Sequence, residues 1–205
     1  MHALTITEKS ALLGSNLPPS GAANSEHVAK VCHLTDRRAT PRQAGAQCKR
    51  YSQPMRTFQS LSELAACVGQ EVAVSDWITI TQQQVKLFAE ATGDHQWIHV
   101  DPEKAAVGPF GGTIAHGFLT LSLLPRFFDA SFEVSGSRMG VNYGLNKVRF
   151  TAPVPVGSRL RARMKLLAAE PIDNGGVQLS WEVMVEREGA SKPVCVAESL
   201  VRYYS

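Results

Sequence analysis

FLTLSLLPRFF, residues 118–128, is apolar on nearly every side when wound as a helix, the pattern of a helix buried all round rather than along one stripe. Pro125 is expected to kink or end it, because proline lacks the N–H that the helix needs. The preceding stretch, GPFGGTIAHG (108–117), is too rich in glycine for a strand interior. From Met139 onward the periodicity changes. Four strand-like stretches, roughly 139–152, 158–169, 176–187 and 193–204, are separated by the turn signals Pro-Val-Gly, Asp-Asn-Gly-Gly and Glu-Gly. In WEVMVEREG (181–189), Trp181, Val183 and Val185 alternate with Glu182, Met184 and Glu186, which places one apolar face of a strand against a core. One buried helix facing an antiparallel sheet is an α+β arrangement.

Upstream of the glycine-rich stretch the spacing is helical. In MRTFQSLSELAACVGQEV, starting at Met55, the residues Phe58, Leu61, Leu64 and Ala65 repeat at helical intervals and Gly69 stands where a helix should stop. Between Ile80 and Ala91, the residues Val85, Leu87, Phe88 and Ala91 define an amphipathic helix with Thr79 or Thr81 as N-cap and Gly93 as the stop. DHQWIHVDP, bracketed by Gly93 and Pro102, is expected to be a loop leading to a short helix over Pro102–Ala106.

The 205 residues, 44% of them hydrophobic, suffice for one substantial core and are few for two. Residues 1–54 mix Ser, Ala, Gly, Pro, Gln and Arg with little apolar periodicity, and are expected to form a disordered N-terminal extension to a domain spanning 55–205. A start assigned too far upstream would explain this leader. A transit peptide is the rival explanation, weakened by Glu8, Glu26 and Asp36. The leader holds seven Lys/Arg against three Asp/Glu and the remainder fourteen against fifteen, so the net charge of +3 comes from the leader. A near-neutral body offers no clustered basic face for nucleic acid. Four widely spaced cysteines, Cys32, Cys48, Cys67 and Cys195, form no C-x-x-C pair and fit a reducing cytoplasm. No apolar run reaches the ~20 residues that span a bilayer, so no membrane partner is expected.

The densest set of ionisable groups beside apolar ones lies in FAEATGDHQWIHVDPEKAA (88–106). Asp94 and His99 share one irregular stretch, where a carboxylate can orient a water while a neutral imidazole takes its proton. Taken alone, the pair reads more readily as a helix cap, Asp94, and a packed polar residue, His99. His95, His99 and His116 raise the question of a metal, but His95 and His99 ligate together only when helical, and Gly93 and Pro102 argue against that; no metal is expected. Arg159, Arg161 and Arg163 project from one strand face, most simply a solvated one. GPFGG lacks the strand-before, helix-after setting of a dinucleotide loop and is expected to shape a substrate entrance.

The wider pattern says more than the pair. Phe88, Thr92, Gly93, Asp94, His99, Asp101 and Ala105, then Thr113 to Gly117, then Val148-Arg149-Phe150 with Pro153-Val154 and Gly157, stand in three ordered blocks. They resemble the hydratase motif of the MaoC-like family, the (R)-specific enoyl-CoA hydratases, including the nodulation protein N-like branch, over residues 57–204. The resemblance implies a hot-dog fold, with the sheet wrapped around the helix that begins near His116, and a homodimer formed through the sheets. It implies a hydro-lyase that reversibly hydrates trans-2-enoyl-CoA to (R)-3-hydroxyacyl-CoA, with Asp94 and His99 catalytic and the Gly117 backbone N–H as oxyanion donor, aided by its helix-terminal position. No cofactor is implied beyond the coenzyme A carried by the substrate. Gln96 and Trp97 replace the Asn-Pro usual in the family. Gln96 can still donate and accept, whereas Trp97 is bulkier and less rigid, which bears on loop shape and pocket size. Gln96, Trp97 and His116, with Lys147 and Arg149 for the coenzyme A phosphates, are the candidate substrate-binding residues, although His116 reads more simply as a structural residue that orients the helix entry through a hydrogen bond. Two rivals exist. A hot-dog thioesterase usually wants a carboxylate on or beside the central helix, and none follows Gly117 until Asp129; a silent acyl-thioester-binding module has no need of both Asp94 and His99.

Overall fold

The computed structural model describes residues 55–204, and the expectation for the leader lies outside them. The first elements are β1 (Arg56–Phe58) and α1 (Leu61–Ala65). The helix expected from Phe58 starts only after Ser60, whose hydroxyl accepts from the Glu63 N–H at 3.1 Å while the Glu63 carboxylate accepts from Gln59 N–H at 2.6 Å. Phe58 belongs instead to a strand, because its fully buried ring packs edge-on against Phe132 with centroids 5.9 Å apart. After β2 (Glu71–Val74) and β3 (Ile78–Thr79) comes α2 (Gln82–Thr92). Thr81 caps α2 in a reciprocal box with Gln84, and Gly93 ends it at φ 76°, a conformation glycine adopts without a Cβ penalty.

A loop was expected between Gly93 and Pro102, but Trp97–Val100 forms one helical turn, α3, before α4 (Pro102–Ala106). Four residues close one turn without needing the length that Gly93 and Pro102 deny. Asp101, not Asp94, caps α4, its carboxylate accepting from the Lys104 N–H at 3.1 Å.

The expected central helix is two short ones, α5 (Gly117–Ser122) and α6 (Leu124–Asp129), which meet at Leu123 and place Pro125 in the first turn of α6, where its missing N–H costs nothing. They are not buried all round. Leu119, Thr120, Leu123, Leu124, Phe127 and Phe128 are buried, while Phe118 is 67% exposed.

The strand β4 (Phe132–Val134) pairs in parallel with β1. The main sheet is antiparallel and adds β5 (Met139–Phe150), β6 (Arg159–Ile172), β7 (Gly176–Arg187) and β8 (Cys195–Tyr204) in the order β2-β6-β7-β8-β5, with β3 also on β6. The β6–β7 turn passes through Asn174 at φ 59°, as the Asn-Gly signal requires. Trp181, Val183 and Val185 of β7 are fully buried, and the Trp181 ring meets Phe128 at 5.3 Å and Phe132 at 5.5 Å. The apolar face of the sheet therefore packs on α5 and α6. β5 lies at the sheet's edge, and its Met139, Val141, Tyr143 and Leu145 are exposed.

Candidate active site

His99 sits on the α3 turn, buried to 7% exposure, with Nδ1 2.7 Å from the Ile114 carbonyl. A carbonyl only accepts, so Nδ1 carries the hydrogen and Nε2 keeps the lone pair. Ile114 is held in turn, its N–H donating to the Ile98 carbonyl at 3.0 Å, while the neighbouring Ala115 N–H donates to Val154 at 2.8 Å. From the other side the Gln82 amide donates to the His99 backbone carbonyl at 2.8 Å, and the Thr113 hydroxyl donates to the same Gln82 side chain. Burial pushes the His99 imidazole below its ordinary 6.5, against the Ile114 carbonyl, which pulls the other way; His116 adds to the lowering and Asp94 opposes it.

Asp94 follows the Gly93 stop, its side chain 47% exposed, one carboxylate oxygen accepting from the Gln96 N–H at 3.4 Å. His116, at the N-cap of α5 and 3% exposed, reaches it through Nε2, which lies 2.9 Å from the Asp94 backbone carbonyl and 4.0 Å from its carboxylate. The His116 and His99 rings stack with centroids 3.8 Å apart at 28°. Asp94, His99 and His116 each bring a polar atom within 4.8 Å of the others. Stacked imidazoles direct their in-plane lone pairs side by side rather than at one point, so this is a poor grip for an ion despite the residue types.

Two cavities share His99 and Gly117. One, about 200 Å³, is lined also by Phe88, Thr92, Asp94 and His116. The other, about 370 Å³, is walled largely by apolar side chains, among them Phe110, Ile114, Phe150 and Val154. A larger one, about 510 Å³, lies by β2 and β6 and contains neither Asp94 nor His99. The arginines near it are already engaged, Arg161 with Glu186 at 2.7 Å and Arg163 with Glu71 at 2.8 Å, while Arg159 holds Glu188 at 2.8 Å. They form the solvated face expected of them.

Gly117 opens α5. A Cβ there would lie 2.8 Å from the Phe150 ring, so the close approach demands glycine. Its N–H has no backbone acceptor among the described residues. Gln96 and Trp97 line neither cavity that holds His99; Trp97 is 41% exposed and packs on Gly108. Lys147 and Arg149 are exposed on β5, likewise outside both cavities, with the Arg149 guanidinium donating to Val148 at 2.7 Å. The structure thus brings Asp94, His99, His116 and Gly117 together and leaves those four apart. Gln82 escaped the sequence reading, since a glutamine in the first turn of an amphipathic helix looks like a solvated residue.

Residues 63–186 match the family model described as MaoC like domain. The chain is 62% identical over 149 residues to 3-hydroxyacyl-thioester dehydratase Z of Mycobacterium tuberculosis, covering 73% of this chain and 99% of that protein. It is 48% identical over 140 residues to Nodulation protein N of Rhizobium leguminosarum bv. viciae, covering 67% and 87%. Among solved structures, R-hydratase PhaJ1 from Pseudomonas aeruginosa, unliganded, superposes with a TM-score of 0.52 at 27% identity, covering 67% of this chain and 82% of that one. The MaoC-like dehydratase from Rhodospirillum rubrum gives 0.57 at 22% identity, covering 71% and 96%, a likeness of fold. The sheet wrapped on α5 and α6 is the hot-dog fold. The chain belongs to the MaoC-like dehydratase family.

Proposed function

We propose that this protein is a hydro-lyase that reversibly adds water to a trans-2-enoyl thioester, giving the (R)-3-hydroxyacyl thioester, with the acyl group carried on coenzyme A. The observation that carries this reading is the buried His99, whose Nδ1–H is committed to Ile114 so that Nε2 remains as a base beside the Asp94 carboxylate. Asp94 orients a water and His99 Nε2 takes its proton. As the water oxygen bonds to C3, the C2=C3 π electrons move onto the thioester oxygen, where the Gly117 N–H meets the developing charge. His99 then returns the proton to C2 on the same face, which makes the addition syn. A thioester-conjugated alkene is already electrophilic, so the step asks for no further cofactor. The apolar cavity of about 370 Å³ beside His99 suits the acyl chain.

The named relatives support acyl thioesters as the substrate class, one being a 3-hydroxyacyl-thioester dehydratase and another an R-hydratase. The apolar side chains exposed along the edge strand β5 favour a homodimer formed through the sheets. Buried free Cys67 and Cys195 accord with a reducing cytoplasm, and no helix among the described residues is long and apolar enough to cross a membrane.

A panel of crotonyl to dodecenoyl thioesters, on coenzyme A and on a carrier protein, tests the assignment through loss of enoyl absorbance. Conversion in reverse of the (R)- but not the (S)-3-hydroxyacyl thioester is expected. Release of free thiol would indicate a thioesterase instead, and ligand-induced thermal stabilisation without turnover would indicate a binding module.

A further inference from the structure

Two imidazoles stack at the centre of the site, and the proposed reaction uses only one. His116 is the more buried, and its ring reaches both members of the catalytic pair: it stacks on His99 at 3.8 Å and its Nε2 lies 2.9 Å from the Asp94 carbonyl, while Phe88 of α2 tilts against it at 5.0 Å. The carbonyl only accepts, so Nε2–H donates. Asp94 has little else to hold it. Its N–H reaches the Thr92 hydroxyl at 3.5 Å and its carboxylate receives the Gln96 N–H at 3.4 Å, both long for hydrogen bonds, so the His116 contact is the short one on Asp94 among the described residues. His116 is also the N-cap residue of α5, adjacent to Gly117, and so ties the oxyanion donor's helix to the Asp94 segment.

We propose that His116 is a positioning residue: it pins the backbone of Asp94 with its ring N–H and, with its ring face, keeps water from one side of His99. The inference rests on the hydratase reading for its kinetic consequences but not for its structural ones. The titratable groups facing His99 are Asp94 and His116. The other neighbours carry no charge: Gln82, Phe88 and Thr92 from α2, the Ile114 carbonyl, Gly117 and Phe118 from α5, and Phe150 from β5. Burial is the chief cause of His99's lowered proton affinity, so removing the covering ring should raise it.

Two substitutions separate the roles. His116→Gln can still donate to the Asp94 carbonyl but has no ring; His116→Phe keeps a ring against His99 and has no donor. In His116→Gln, the acid limb of the kcat/KM profile for crotonyl-CoA should move to higher pH, and the His99 Cε1 resonance in the free protein should titrate higher. In His116→Phe, which keeps the covering ring and loses only the smaller contribution of the His116 charge, the limb should move less than in His116→Gln, while kcat falls about 10-fold or more at nearly constant KM, as expected when a catalytic group is misplaced by a fraction of an ångström. A His99 titration in His116→Gln that coincides with the unsubstituted protein, or a folded His116→Phe protein with full kcat, overturns the proposal. If His116→Phe does not fold, the titration in His116→Gln decides alone. Failure of the hydratase reading is distinct: the unsubstituted protein would then turn over no enoyl thioester, while the His99 titration would still respond to His116→Gln.

Discussion

The side-chain amide of Gln82 donates to the backbone carbonyl of His99 at 2.8 Å, bridging the first turn of α2 to the α3 turn that carries the proposed base. Together with the Ile114 carbonyl on Nδ1, it holds both the backbone and the ring of His99. Gln82→Leu removes the donor and leaves the His99 carbonyl and Thr113 hydroxyl without their partner. We expect a loss of about 1–3 kcal/mol, the usual cost of leaving buried polar groups unmet, and a several-fold drop in kcat. Urea denaturation and steady-state kinetics on the same preparation check both. An unchanged kcat with lowered stability would limit Gln82 to a structural role.

Asp94→Asn and His99→Gln should each lower kcat by roughly 10²–10⁴, the range for general acid–base groups. The double variant should be little worse than either single one, because in the proposed mechanism both residues act on one water. Melting curves recorded alongside exclude a loss that merely tracks stability. Strictly multiplicative losses would mean independent roles.

The lowered proton affinity of His99 has a consequence for folding as well. Below 6.5 the unfolded chain takes up a proton that the folded protein resists, so stability contributed at neutral pH is lost as pH falls from 6.5 towards the lower folded value. His99→Gln abolishes this linkage. The melting temperature of the unsubstituted protein should therefore fall more steeply with acid, across that window, than that of the variant.

Gly117→Ala places a methyl group 2.8 Å from the Phe150 ring. Overpacking of this kind typically costs about 1–3 kcal/mol, and displacement of α5 should lower kcat too. Phe150→Leu in the same chain should relieve the clash and restore part of both. If Gly117→Ala has full stability and activity, the Phe150 contact does not constrain this position.

Charges on the edge strand should break the proposed dimer. Val141→Lys with Leu145→Glu puts charge on two exposed apolar positions of β5. Light scattering at micromolar concentration should give twice the chain mass for the unsubstituted protein and the chain mass for the variant. A monomer in both would count against assembly through this edge.

Local pattern along the chain was enough for the four long strands, for α2 with its Gly93 stop and a threonine cap left open between Thr79 and Thr81, and for the short helix at Pro102, whereas its Asp101 cap emerged only in the structure. In each case the deciding residues lie within a few positions of the element they shape, so local pattern carries the information. The ordered blocks around Asp94, His99 and Gly117 likewise pointed to the site. Tertiary structure decided the rest. Phe58 is a strand residue because its ring is buried against Phe132, and the central helix divides at Leu123, one face bearing on the sheet and Phe118 left exposed. His99 has its Nε2 free because of a carbonyl fifteen residues away, and its backbone is held by Gln82 from seventeen residues upstream. Local spacing does not encode such contacts, since a main-chain carbonyl is the same group in every residue and only the fold determines which one an imidazole meets.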